Sequence, residues 1–446
     1  YLGLPLSVQQ LRKVDFQYLE DKAARKLVTW EGQSITTIGR TTLVRSVITS
    51  QAVFSITSLI VPQGTLHNIN KIERAFLWSG SDKTTGAKCK VNWDMVCRPT
   101  IYGGLGILNT DKFARALRLR WPWYEWKEPT KLWVGLGNPC TEEDMDFFYA
   151  STTIIVGNGA KTPFWDSPWL LGRKPKDIAP LIFQASKRKR STLRQALRGN
   201  AWMTHIKHDT IVSVAHIREL FSLWALVHDF HLDDHVEDDI VWKHADDGQY
   251  SAVTAYKAQF LGLTHSPIHH MVWRAWPPPK VKFFAWLTLQ DRNWTADRLE
   301  RRGWDNCGLC PLCKREQESG IHLFVKCRFS IRLWRSVIDK FGLVHMDTFN
   351  WHLEDSLMQW WDKRTDMRNP NRRAMASLTM LVSWTIWNER NAHVFRNKSA
   401  QPPILLQNIV LEAKLWVTAG AKCRGKLIHE HLWGSADRAP FDSVRA

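Results

Sequence analysis

The stretch Trp304-Asp-Asn-Cys307-Gly-Leu-Cys310-Pro-Leu-Cys313, followed by His322 and Cys327, decides how the chain is read. Two residues separate Cys310 from Cys313, eight separate Cys313 from His322, and four separate His322 from Cys327. Three thiolates and an imidazole make a Cys₃His set, a closed tetrahedral shell for structural zinc. The Cys-x-x-Cys pair is short because two sulfurs must grip one ion from a tight turn, which Pro311 helps to fix. The gap from His322 to Cys327 suits about one helical turn, with both ligands on one face. Because all four ligands belong to the protein, no coordination position is left for water, and zinc is expected to build structure and not to activate a nucleophile. Cys307 is a spare that could replace Cys310, but Cys310-Pro-Leu-Cys313 closes the tighter turn, so Cys307 ranks as an unliganded neighbour. The bland alternative is a set of reduced, buried cysteines beside a satisfied core histidine. Four of the chain's 8 Cys fall in this window with a histidine at ligand spacing, which favours the metal.

The flanks carry more. Upstream lies Val272-Trp-Arg-Ala-Trp-Pro-Pro-Pro-Lys280-Val-Lys-Phe-Phe-Ala-Trp, then Leu299-Glu-Arg-Arg-Gly303; downstream, His322-Leu-Phe-Val-Lys-Cys327 leads into Leu333-Trp334. This order resembles the zinc-binding domain at the C-terminal end of plant non-LTR (LINE-type) retrotransposon reverse transcriptases. The shared pattern is W-x-x-x-x-P-x-K-V-K-x-F-x-W, then C-P-L-C, H-L-F and C, then L-W.

Composition sets the outer bounds. With 446 residues the chain can bury sizeable cores in two to four domains. A formal charge of +18 favours a polyanionic partner, nucleic acid before membrane. The 25 Trp supply core anchors for the most part, and possible base-stacking faces. No run approaches about 18 consecutive apolar residues, so no membrane span is expected, and no signal peptide is evident. Cysteines at metal spacing suggest a reducing, intracellular compartment. The chain opens on Tyr1 and not Met, so a fragment is expected.

Taken in order, Tyr1-Leu-Gly-Leu-Pro-Leu-Ser7, Asp15-Phe16, Trp30 and Ser34-x-x-x-x-Gly39-Arg40 resemble the segment that follows the polymerase palm in the same family. Phe16, Leu19, Ala23 and Leu27 recur at helical spacing up to Gly32. A second helix is expected through Leu43, Val44, Val47, Ile48, Val53 and Phe54 to Pro62, and a third through Leu66, Ile69, Ile72, Phe76 and Leu77 to Gly80. The resemblance implies a thumb over 1–80 that holds a template–primer duplex by its backbone. Among its cations, Arg12, Lys22, Arg25, Lys26, Arg40 and Arg45 are the candidate phosphate contacts, joined by Lys280 and Lys282. The bland reading of these cations is the solvated surface of an ordinary helical bundle.

Residues 81–145 read as a basic connection. Its Gly103-Gly-Leu-Gly106 lacks the strand–helix context and the downstream lysine of a phosphate loop and reads as a turn. Residues 146–260 read as a small α+β connecting region. Gly157-Asn-Gly159 with Phe164-Trp165 and Trp169 is expected to form a hairpin over an aromatic cluster. Lys187-Arg-Lys-Arg190 suits either a nuclear import signal or a phosphate-binding patch. His244-Ala-Asp-Asp247 contains Ala-Asp-Asp, and the family's polymerase site carries aromatic-Ala-Asp-Asp. Here, however, Ile240-Val-Trp242 precedes it and Gly248-Gln-Tyr250-Ser follows, which makes Asp247-Gly248 a turn between a strand and a helix. Asp246 and Asp247 are therefore not taken as catalytic, and no catalytic residue is assigned.

The zinc-binding domain is placed at 261–345 and a C-terminal helical region at 346–446. In the latter, helices are expected over Arg372 to Phe395, with Ile386-Trp-x-Glu389-Arg390-Asn391, and over Ile404 to Lys422. No acidic constellation of the ribonuclease H kind is evident. The whole reads as mainly α with small β elements (α+β): a thumb-like bundle, a mixed connection, a zinc-stabilised helical domain and C-terminal helices. The resemblance implies a nuclear, zinc-stabilised C-terminal fragment of an RNA-directed DNA polymerase that binds element RNA and target DNA. Its magnesium-binding palm would lie upstream of Tyr1. The alternatives are a zinc-stabilised protein–protein module and a decayed element copy.

Overall fold

Apolar residues spaced three and four apart build most of this molecule. The computed structural model describes residues 4–5, 11–28, 32–211, 213–343, 346–366 and 371–420. Most of the opening Tyr1 to Ser7 motif, Trp30 and residues 421–422 of the last expected helix lie outside that set. The longer helices are Gln17–Val28, Gln63–Ser79, Val214–Val227, Arg328–Phe341, Arg372–Phe395 and Pro402–Thr418. Among the described residues, the named strands form one antiparallel pair, β1 (Thr152–Ile155) and β2 (Asp239–Trp242), in the register Thr152 to Trp242. The fold is mainly α with small β elements.

The second expected helix is real but not uniform. It runs as Thr37–Leu43, a wide π turn at Val44–Ile48, and Thr49–Ser58. Thr36 caps its start by accepting from the Gly39 amide at 3.3 Å.

Two compact units divide the chain, the first comprising Tyr1–Lys26, Val47–Lys71 and Leu108–Gly262, the second Leu27–Ser46, Ile72–Ile107 and Leu263–Ala446. In the first unit, Phe16, Leu19, Ile56, Leu66 and Ile69 bury together with Ala114 and Leu117 from the helix Thr110–Arg118. A separate core gathers Phe164, Trp165, Trp169, Ile182, Leu193 and Trp202 under Leu223 and Val227. Phe164 stacks on Trp202 at 6.0 Å and meets Trp165 edge-on at 4.9 Å, preferred aromatic geometries.

The expected hairpin at Gly157-Asn-Gly159 is not formed. β1 pairs instead with β2, far along the chain, and the segment after β1 wraps a carboxylate. Asp238, 4% exposed, accepts hydrogen bonds from the amides of Gly157 (2.8 Å), Gly159 (2.8 Å), Lys161 (2.9 Å) and Thr162 (3.0 Å), and from the Thr162 hydroxyl (2.9 Å). Gly157 is required there: a Cβ would sit 2.1 Å from the Val236 carbonyl oxygen. Burial alone would raise the Asp238 pKa, but these donors outweigh it and hold the carboxyl below the usual range.

In the second unit, Pro278 and Pro279 start the helix Pro279–Leu289, whose Val281 and Phe283 to Leu289 are all buried. Phe284 meets Trp384 at 5.1 Å, on the helix Arg372–Phe395. Trp334, Trp351 and Trp360 form three T-shaped contacts at 5.0–5.6 Å. These tryptophans are core anchors.

Asp238→Ala should therefore lower unfolding free energy by about 3 kcal/mol, since several buried donors lose their acceptor. Because the folded pKa is depressed, the native contribution of Asp238 is full above its unfolded value of about 4 and fades as pH falls through the folded value. Urea melts of wild type and variant at neutral and acid pH should show the gap narrowing toward acid.

Candidate metal centre

The segment 308–318 folds back on itself. Leu309 bridges Gln317, the Cys310 amide donates to the Glu316 carbonyl at 2.8 Å, and the Glu318 amide donates to the Gly308 carbonyl at 2.8 Å. The turn between is closed by the Lys314 amide on the Cys310 carbonyl at 2.8 Å, with Lys314 in the left-handed region. That hairpin presents Cys310 and Cys313. The other two donors flank a wide turn, His322–Lys326, in which the Cys327 amide returns to the His322 carbonyl at 2.7 Å. The expectation of one ordinary helical turn needs correcting here. Five residues of α-helix would rotate Cys327 away from His322, whereas a π turn closes on the fifth residue and returns both to one side.

The result is compact. Donor atoms of Cys310, Cys313, His322 and Cys327 all lie within 4.8 Å of one another, with Cys310, His322 and Cys327 buried. The Cys310 and Cys327 sulfurs are 3.8 Å apart, and the Cys313 sulfur is 3.4 Å from His322 Nε2. A regular tetrahedron with metal–sulfur bonds of ~2.3 Å and a metal–nitrogen bond of ~2.0 Å has edges of ~3.8 Å and ~3.5 Å. The donor set and its spacing therefore fit zinc. Such a shell would cross-link the hairpin to the wide turn, with no coordination position for substrate or water.

The four side chains perturb one another strongly. The hydrogen bond from Cys310, aided by His322 and opposed by burial, pulls the Cys327 thiol down to about 4, while the same contact and burial raise Cys310. Burial alone would lower His322, but its contacts with Cys327 and Cys313 raise it to about 9. The imidazole turns Nε2 to the sulfurs and Nδ1 to Glu316 Oε2 at 3.2 Å, the outer carboxylate that orients a ligating histidine. Cys307 is exposed, and its sulfur contacts the Leu309 carbonyl, outside the cluster.

A second fastening was not foreseen. Glu318, between Cys313 and His322 in sequence, is 1% exposed and bidentate to Arg390, through Nε at 2.7 Å and Nη2 at 2.8 Å. Its Oε2 also accepts the Ala296 amide at 2.8 Å. Glu389 accepts the Ala400 amide at 2.6 Å. The Glu389-Arg390-Asn391 motif thus ties the long helix to the metal hairpin; its sequence signal was visible, its partner was not.

Residues 250–334 match the family model described as zinc-binding in reverse transcriptase. This zinc-binding match encloses all four clustered donors and the helix Pro279–Leu289. Over 424 aligned residues the chain is 22% identical to an Arabidopsis thaliana protein that bears the name of a ribonuclease H protein. The alignment covers 88% of this chain and 66% of that relative, so the chain spans just under two thirds of its length. No solved structure matches.

The eight candidate phosphate contacts divide between the units. Arg12, Lys22, Arg25 and Lys26 lie in the first, and all four are exposed. In the second, Lys280 is exposed, but Arg40 donates to the carbonyls of Gly32 (2.8 Å) and Ile35 (3.1 Å). Arg45 donates to the Leu105 carbonyl, and half-buried Lys282 to that of Trp273 at 3.3 Å. These three cations hold backbone. At Gly103 to Gly106 the amides serve Thr100, Pro99, Val96 and Arg98 carbonyls, which leaves no phosphate cradle. Asp247 accepts from the Gln249 amide at 2.9 Å beside Gly248 at φ +66°, as turn chemistry requires.

Cys307→Ser should leave bound zinc at wild-type stoichiometry while Cys310→Ser removes most of it, measured by metal analysis after gel filtration. Arg390→Met should destabilise by roughly 3–5 kcal/mol, because Glu318 keeps a buried unpaired charge. Adding Glu318→Leu should recover much of that loss in the same urea melts.

Proposed function

We propose that this chain is the C-terminal part of a plant LINE-type reverse transcriptase, held by a structural zinc and binding nucleic acid through phosphates. The carrying observation is the closed Cys₃His cluster inside the segment that matches the zinc-binding family model. In this reading Cys310, Cys313, His322 and Cys327 hold zinc, the polymerase carboxylates and their magnesium belong to a palm elsewhere in the protein, and the site of action is the nucleus. A net charge of +18 supports contact with RNA or DNA backbones. Trp304, 67% exposed and four residues before the hairpin 308–318 in sequence, would offer its face to an unpaired base.

A second reading, a protein docking module, is favoured by one feature. Val214, Ile217 and Phe221 repeat along one side of the helix Val214–Val227 with exposures of 47–73%.

Removal of zinc by EDTA should reduce helicity, and Cys310→Ser with Cys313→Ser should reproduce the loss; unchanged circular dichroism in both would sink the zinc assignment. The native protein should retard single-stranded RNA in a mobility-shift titration, with affinity falling steeply from about 50 to 200 mM salt. A docking module would show no salt-dependent shift.

A further inference from the structure

The basic run Lys187-Arg-Lys-Arg190 is not an extended peptide in this fold. Ser186 bridges Ile206, the Lys187 amide donates to the His205 carbonyl at 2.8 Å, and the Lys207 amide donates to the Ala185 carbonyl at 3.0 Å. At the other end, the Phe164 amide holds the Ser191 carbonyl at 2.9 Å and Thr192 bridges Pro163. Between these anchors the chain turns tightly, with the Ser191 hydroxyl on the Arg188 carbonyl at 3.2 Å. The turn and the neighbouring segment together line a concavity of about 680 Å³.

Its chemistry is one-sided. The cations are Lys187, Arg188, Lys189, Arg190 and Lys207, all exposed, and the remaining lining is Gln and Ser. Among the described residues, none of the five forms an ion pair with a carboxylate. Lys189 is steadied over the Phe183 ring at 4.9 Å. Five like charges held on two anchored segments repel one another, so a multivalent anion that spans them gains from each. No aromatic or apolar residue lines the hollow itself, which suits phosphates more than bases.

We infer that the turn 186–191 and Lys207 form a binding site for the phosphodiester backbone of nucleic acid, read without regard to sequence. The inference rests on the nucleic-acid reading above and places a contact in the first unit, away from the sequence of the metal segment. A receptor that takes basic peptides in extended form would have to strip this turn from both of its anchors, which disfavours an import signal.

The test uses the full chain and a labelled oligo(U) of about 20 nucleotides, long enough to cross one such groove. Binding is measured for wild type, for the fourfold variant Lys187→Ala/Arg188→Ala/Lys189→Ala/Arg190→Ala, and for Lys207→Glu. The fourfold variant should raise Kd at least about tenfold and lessen the slope of log K against log salt by about 3, near 0.7 per lost contact. Lys207→Glu, on the other segment, should weaken binding several-fold by itself, with zinc content and helicity unchanged in both. Unchanged Kd and slope in a wild-type-like fold would overturn the site, also if the variant merely lost nuclear accumulation, which would identify a receptor-read signal. No salt-dependent binding by wild type would overturn the nucleic-acid reading itself, and the site with it.

Discussion

Four donor atoms within 4.8 Å of one another join the hairpin 308–318 to the wide turn that precedes the helix Arg328–Phe341. The hairpin is short and has little core of its own, whereas the wide turn buries Leu323, Phe324 and Val325. Sulfur–nitrogen coordination at this cluster would cross-link such a hairpin to the packed turn more strongly than a few apolar contacts. The spacing of the side chains suits that role because sulfurs 3.8 Å apart are too distant for a disulfide and already at the edge length of a zinc tetrahedron.

Buried carboxylates do comparable work elsewhere. Glu318 joins the metal hairpin to Arg390 and to the start of the helix Ala296–Glu300. In the first unit, Asp238 gathers the loop after β1, and Asp144 receives Arg115 at 3.0 Å and Arg118 at 2.7 Å while capping its own helix at Thr141. Each is fully buried or nearly so, and each has donors enough to satisfy its charge, the condition under which a buried ion is tolerable. These sites specify loop positions that apolar packing, being non-directional, leaves loose.

A strongly basic chain does not present all its cations to a partner. Arg40, Arg45 and Lys282 bind carbonyls of their own unit. The cations around Lys187 to Arg190, by contrast, meet no carboxylate among the described residues and face solvent. Net charge counts both kinds alike, and only position separates them.

The clustering of Cys310, Cys313, His322 and Cys327, the long helices and the Asp247-Gly248 turn were legible from residues alone, because each depends largely on local spacing. Arg372–Phe395 shows this most clearly, since the apolar stripe and the observed helix share their bounds. The π closure at His322 was not legible: ligand spacing states that two side chains meet, not which helical turn brings them together. The Glu318–Arg390 pair spans 72 residues and the Asp238 loop up to 81, and no local period encodes a meeting of that kind. Helical periods and the grouping of the four side chains were thus written in the chain, whereas the partners of buried charges were decided by tertiary folding, because a charge removed from water must find whatever donors the packed chain places beside it.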